Sequence, residues 1–163
     1  MRGEDYTQAS DIYGFGIIAY EICIGLPPYY DIAHDESLAI KICHGLRPKS
    51  NYKIPQLILD LIKQCWDADP LNRPKAKELN KSLRDLYFQA SRKNSLIDKQ
   101  IGDARRTNKK LSLTAASPSD ILSYTTHSQT VYTSRLLDFK NLPEPKNADD
   151  SDISVETKHS GKL

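Results

Sequence analysis

Between Ile12 and Ile24 the chain is apolar almost without a break: Ile12, Tyr13, Phe15, Ile17, Ile18, Ala19, Tyr20, Ile22, Cys23 and Ile24 surround a single charge, Glu21. At 3.6 residues per turn these side chains cover the whole circumference of a helix, the pattern of an element buried inside a helical body. The stretch is too short for the roughly 20 residues that a bilayer crossing requires. Ser10 can cap such a helix, Asp11 suits its positive end, and Gly25 followed by Pro27 and Pro28 can close it. A second helix is predicted from near Asp35 and Glu36 to Gly45, with Leu38, Ile42 and Leu46 recurring every four residues. A third opens at Pro55 and carries Leu57, Ile58, Leu61 and Cys65 to Trp66. A fourth follows Pro74 and continues through Leu79, Leu83, Leu86 and Tyr87. No stretch alternates with period two, so the first half is predicted to be all-helical.

Composition divides the chain. Of its 13 aromatic residues 10 lie before residue 91, as do all 3 cysteines, whereas residues 91–163 hold 18 Ser and Thr. The second part has too little apolar surface to offset the entropy of ordering its backbone, and residues 93–163 are expected to form a disordered tail. Within it VYTSRLLDF, Val131 to Phe139, is a candidate docking segment. The net charge is −1 over residues 1–90 and +3 over residues 91–163, without the basic balance of a nucleic-acid footprint. Cys23, Cys43 and Cys65 are odd in number, far apart and set among apolar residues, which reads as buried thiols in a reducing compartment. Nothing resembles a leader or a membrane span, and a cytoplasmic or nuclear address is expected.

Two signatures then stand out in order and spacing. DIYGFG provides Asp11, Tyr13 and Gly16, and CWDADPLNRP provides Cys65, Trp66, Pro70, Arg73 and Pro74. Together they resemble the C-terminal third of a eukaryotic protein kinase catalytic domain, of the tyrosine-kinase-like group, over about residues 3 to 90. The resemblance implies a mainly α fold: a partial kinase C-lobe, helices F to I, over residues 1–92. It also implies structural roles for Asp11, Gly16, Trp66 and Arg73. Asp11 would accept hydrogen bonds from the catalytic loop, and Arg73 would pair with the glutamate of an Ala-Pro-Glu motif. Full-length relatives bind ATP with magnesium and phosphorylate protein Ser/Thr, or Tyr, in signalling. These 163 residues contain no Gly-rich phosphate loop, Val-Ala-x-Lys lysine, His-Arg-Asp loop or Asp-Phe-Gly metal ligand. The chain alone is therefore expected to hold no catalytic or cofactor-binding residue, no cofactor, and no activity. Met1 falls after the expected position of the Ala-Pro-Glu glutamate, so Arg73 would turn outward unless Glu4 or a water replaced it.

Other candidates are weaker. Pro27, Pro28, Tyr29 and Tyr30 resemble the segment before helix G, where kinases dock protein partners. That segment supports an alternative reading as a non-catalytic interaction module or decoy. Thr107, Ser112 and Ser117 follow basic pairs or precede proline and are candidate phosphorylation sites on a flexible segment. Trp66 is expected in the core, and His34 and His44 at the surface or at helix ends rather than as metal ligands. No nucleic-acid or membrane partner is expected. Apolar surface left bare at Tyr13, Ile17, Tyr20 or their neighbours would promote self-association.

Overall fold

The computed structural model describes residues 7–114, 125–133, 139 and 141–148. Five helices and no strand occur among the described residues: α1 (Gln8–Ile24), α2 (Glu36–Cys43), α3 (Gln56–Cys65), α4 (Ala76–Ala90) and α5 (Leu96–Thr114), with a short 3₁₀ turn at Pro70–Asn72. The helix α1 starts a turn earlier than its acidic residue suggests. Thr7, not Ser10, is the cap, and its hydroxyl accepts from the Ser10 amide at 3.2 Å. Gly25 closes α1 at φ 76, a conformation that favours glycine, and its amide donates to Glu21 O at 2.7 Å.

The end of α2 is a paired closure. Gly45 at φ 98 donates to Ile42 O, and Leu46 donates to Lys41 O, so two terminal carbonyls find partners. Its start is capped by Asp35, which accepts from the Leu38 amide at 3.0 Å. α1 packs chiefly against α3. At that crossing a methyl group on Gly16 would lie 2.9 Å from Cys65 Cβ and 3.3 Å from Ile62 O, so the helices meet backbone to backbone where the side chain is missing. The neighbouring Gly14 meets nothing within 4 Å, and only the second glycine of GFG serves this contact. Ile12, Leu61, Cys65 and Leu79 form one buried cluster across α1, α3 and α4, and Tyr20, Ile54, Ile62 and Trp66 form another.

Two expectations change here. Residues 96–114, assigned to a disordered tail that starts at residue 93, form α5. Ser95 starts it: its hydroxyl accepts from the Asp98 amide at 3.2 Å, and Asp98 accepts from the Asn94 amide at 2.9 Å. Ile97 is 1% exposed and Ala104 4%, so one stripe of an otherwise polar helix closes over the body. That stripe also reads backbone. Gln100 Oε1 accepts from the Leu57 amide in the uncapped first turn of α3, and the Asn108 amide group both accepts from Lys53 N at 2.7 Å and donates to Lys53 O at 3.0 Å. A half-open apolar pocket of about 250 Å³ lies beside α5, lined by Phe15, Ile58, Leu61, Leu86, Ile97 and Ile101. The second change concerns the thiols. Cys43 and Cys65 are buried, but Cys23 is exposed on α1. Burial pushes the Cys65 thiol up to about 11.

Candidate functional site

The first candidate centre is where the two signatures meet. Arg73 lies in extended backbone ahead of Pro74 (φ −73, ψ 141), just past the 3₁₀ turn that Asp69 caps. Its guanidinium turns inward. Nε donates to Asp67 O at 2.8 Å, Nη1 to Ala9 O at 2.9 Å and Nη2 to Ala68 O at 3.3 Å, so three carbonyls bind it and the first turn of α1 is tied to the loop after α3. The expected outward turn is therefore corrected: backbone oxygens satisfy a cation for which a carboxylate or water was anticipated. Glu4 lies outside the described residues.

Tyr13 joins this centre to a second arginine. The guanidinium carbons of Arg73 and Arg47 lie 5.0 and 5.8 Å from its ring centre, within cation–π range. Arg47 also precedes a proline. It donates through Nε and Nη2 to Trp66 O, and through Nη1 to Ile42 O and Leu46 O, so the C-terminal ends of α2 and α3 share one cation. Trp66 is buried, as expected, and its ring lies 5.4 Å from that of Tyr20. Burial raises the Tyr13 hydroxyl above its ordinary value, opposed by Arg47 and then Arg73, and burial lowers Arg73. A sequence reading does not single out Arg47; its signal is the repeated Arg-Pro pair, which places a long cation beside a helix end.

Asp11 is exposed at the start of α1, and Gly16 is buried against α3. Asp11, Ile18 and Ile22 fall on one stripe of α1, on which Ile18 is 58% and Ile22 77% exposed. Bare apolar surface is thus found beside the predicted positions: Tyr20 is buried, while Tyr13 and Ile17 are half-buried. No group of three or more His, Cys, Asp or Glu side chains that could hold a metal ion occurs among the described residues. No helix there is long and apolar enough to cross a membrane.

A second candidate surface surrounds Pro27, Pro28, Tyr29 and Tyr30, all half-buried. Tyr29 adopts φ 56, rare for a bulky residue, and its hydroxyl donates to Leu46 O at 3.2 Å. Burial, first of all, raises that hydroxyl well above the ordinary phenol range. Residues 127–132 lie on this surface. The His127 amide donates to Tyr30 O, the Thr130 hydroxyl reaches Tyr30 O and Ile32 O, and the His34 amide donates to Gln129 O. Of the candidate modification sites, Thr107 is exposed on α5 and Ser112 is half-buried there, its hydroxyl donating to Asn108 O at 3.0 Å. Ser117 lies outside the described residues.

A helical body with a glycine-tight α1–α3 crossing and an arginine seated after Cys-Trp is the architecture of the C-terminal lobe of a phosphotransferase domain. The family model for protein tyrosine and serine/threonine kinases matches residues 1–83, and the chain belongs to that family. Helices α1 to α4 are accordingly F, G, H and I of a partial C-lobe. A protein of Dictyostelium discoideum named "Probable serine/threonine-protein kinase roco5" is 39% identical over 95 residues, 51% of this chain and 3% of the relative. The Arabidopsis thaliana protein kinase and PP2C-like domain-containing protein is 32% identical over 106 residues, covering 55% of this chain and 16% of its own length. The mast/stem cell growth factor receptor Kit of Canis lupus familiaris is 34% identical over 100 residues, 61% of this chain and 9% of the receptor. The chain thus spans a small part of each of these relatives.

Proposed function

We propose that this chain supplies the supporting helices of a protein kinase catalytic unit that transfers phosphate from ATP to protein Ser/Thr, or Tyr, and that alone it carries out no transfer. The observation that carries this reading is the open stripe of α1. Asp11, the residue that braces the catalytic loop in relatives, is exposed on the same line as Ile18 and Ile22, a line apolar enough to want cover. The groups that act on ATP and magnesium in relatives, a phosphate-loop glycine run, a paired lysine and two metal-binding side chains, have no counterpart among these 163 residues. Purified chain incubated with magnesium-ATP and a generic protein substrate is expected to show neither phosphate transfer nor a shift in thermal unfolding. Transfer above a no-protein control, reproduced across independent preparations, would refute the inactive reading.

A second reading, a helical interaction module, is supported by the surface at Tyr29 to His34, where backbone carbonyls and an imidazole hold the turn-containing segment 127–131. It places protein recognition at α2 and the loop before it, with Pro27, Pro28, Tyr29 and Tyr30 at its rim. In this role the chain would bind or sequester a protein without modifying it.

A further inference from the structure

The loop that leads into α2 and the closure at its far end are both covered by chain from the last quarter of the sequence. At the near end, His34 is the hub. Its Nδ1 lies 2.9 Å from Val131 O and 3.2 Å from Val131 N, its Nε2 lies 3.2 Å from Tyr29 O, and its ring meets Tyr132 edge-on at 5.2 Å. The backbone takes part as well: His127 N donates to Tyr30 O at 2.9 Å and His34 N donates to Gln129 O at 3.2 Å. At the far end, Lys146 N donates to Cys43 O at 2.8 Å. Asn147 then accepts from the Ala68 amide at 2.9 Å and donates to Asp67 Oδ2 at 3.1 Å. A methyl group added to Gly45 would lie 2.7 Å from Ala148 Cα, so the glycine that closes α2 is also the floor on which the strap rests.

We infer that α2 and its flanking loops form a peptide-docking surface whose resident occupant is the chain's own strap, His127–Tyr132 and Lys146–Ala148, so that a protein partner can dock there only by displacing it. This deepens the docking reading of Tyr29 and Tyr30 and rests on it for the use of the surface in trans; it does not depend on phosphoryl transfer. The mode of contact sets the strength. The strap is held by backbone hydrogen bonds and by Thr130, Asn147 and His34, and it buries little apolar surface: Thr130 and Val131 are half-buried and residues 125–129 are exposed. Each such bond nets little against water, so the cover is exchangeable where the helical body is not. The Thr130 hydroxyl is the point of control. It donates toward two carbonyls, Tyr30 O at 3.3 Å and Ile32 O at 3.4 Å, and an acidic group in its place would set acceptor against acceptors.

Hydrogen exchange on the full chain tests cis cover, and a peptide tests the surface in trans. The body amides of His34 and Ala68 donate to strap groups, so both should be protected in the wild type. In the Thr130→Glu/Asn147→Ala variant they should exchange at least tenfold faster, with the amides of α1 and α3 unchanged. Equal rates in both proteins would overturn the cis cover. A fluorescent peptide spanning Thr125 to Ala148 should bind that variant at least tenfold more tightly than wild type, and His34→Ala on the same background should abolish binding. Equal affinity for wild type and variant, or none for either, would overturn the claim of a shared surface. If the double variant also loses protection in α1 and α3, Thr130→Val, which removes the donor with little change of shape, carries the same comparisons.

Discussion

The two flanks of α1 are made of the same kind of residue and end in opposite environments. On one, Ile12 and Tyr20 are 5% and 7% exposed and Gly16 is tight against Cys65; on the other, Ile18 and Ile22 are 58% and 77% exposed. Hydrophobicity therefore records that a side chain is suited to burial without saying what covers it. For the packed flank the cover is α3. Over Ile18 and Ile22 no covering element occurs among the described residues.

Substitutions sort the flanks by effect. The largest effect is expected at Ile62, 2% exposed on the α3 side of the crossing, where Ile62→Ala should cost about 2–5 kcal/mol through lost transfer and an unfilled void. Urea unfolding followed by Trp66 fluorescence would measure it, and a loss below about 1 kcal/mol would show the crossing to be loosely packed. Gly16→Ala comes next. It adds a methyl group where Cys65 and the α3 backbone leave no room, at an expected cost of about 1–3 kcal/mol. A neutral or stabilising result there would mean the helices can part freely. The smallest effect belongs to the open flank: Ile18→Lys and Ile22→Lys should change stability by no more than about 0.5 kcal/mol and should reduce binding of an apolar dye. A destabilisation matching that of Ile62→Ala would show that this flank is covered after all.

The helices α1 to α4 were legible because their evidence is local: apolar spacing, an acidic first turn, Gly25 and Gly45 at the ends. The cap of α1 is misplaced by a turn because Thr7 and Ser10 both offer hydroxyls, and only geometry decides which accepts. The α5 helix is hidden by averaging. Over 73 residues the tail is polar, yet Ile97, Ile101 and Ala104 lie on one face, and Ser95 with Asp98 has the spacing of a capping box. The inward turn of Arg73 was illegible for a different reason. Its partners Asp67 O, Ala9 O and Ala68 O are backbone atoms, which every residue has and no sequence advertises. The same holds for His34, whose contact with Val131 spans 97 positions.

The lone accessible thiol on α1 has a practical side. Burial raises the thiols of both Cys23 and Cys65, so access decides: with Cys43 and Cys65 enclosed, a maleimide dye would attach at Cys23. A fluorophore at that position would sit next to Ile22, on the helix with the bare apolar line, and so would brighten or dim when another polypeptide settles over that line.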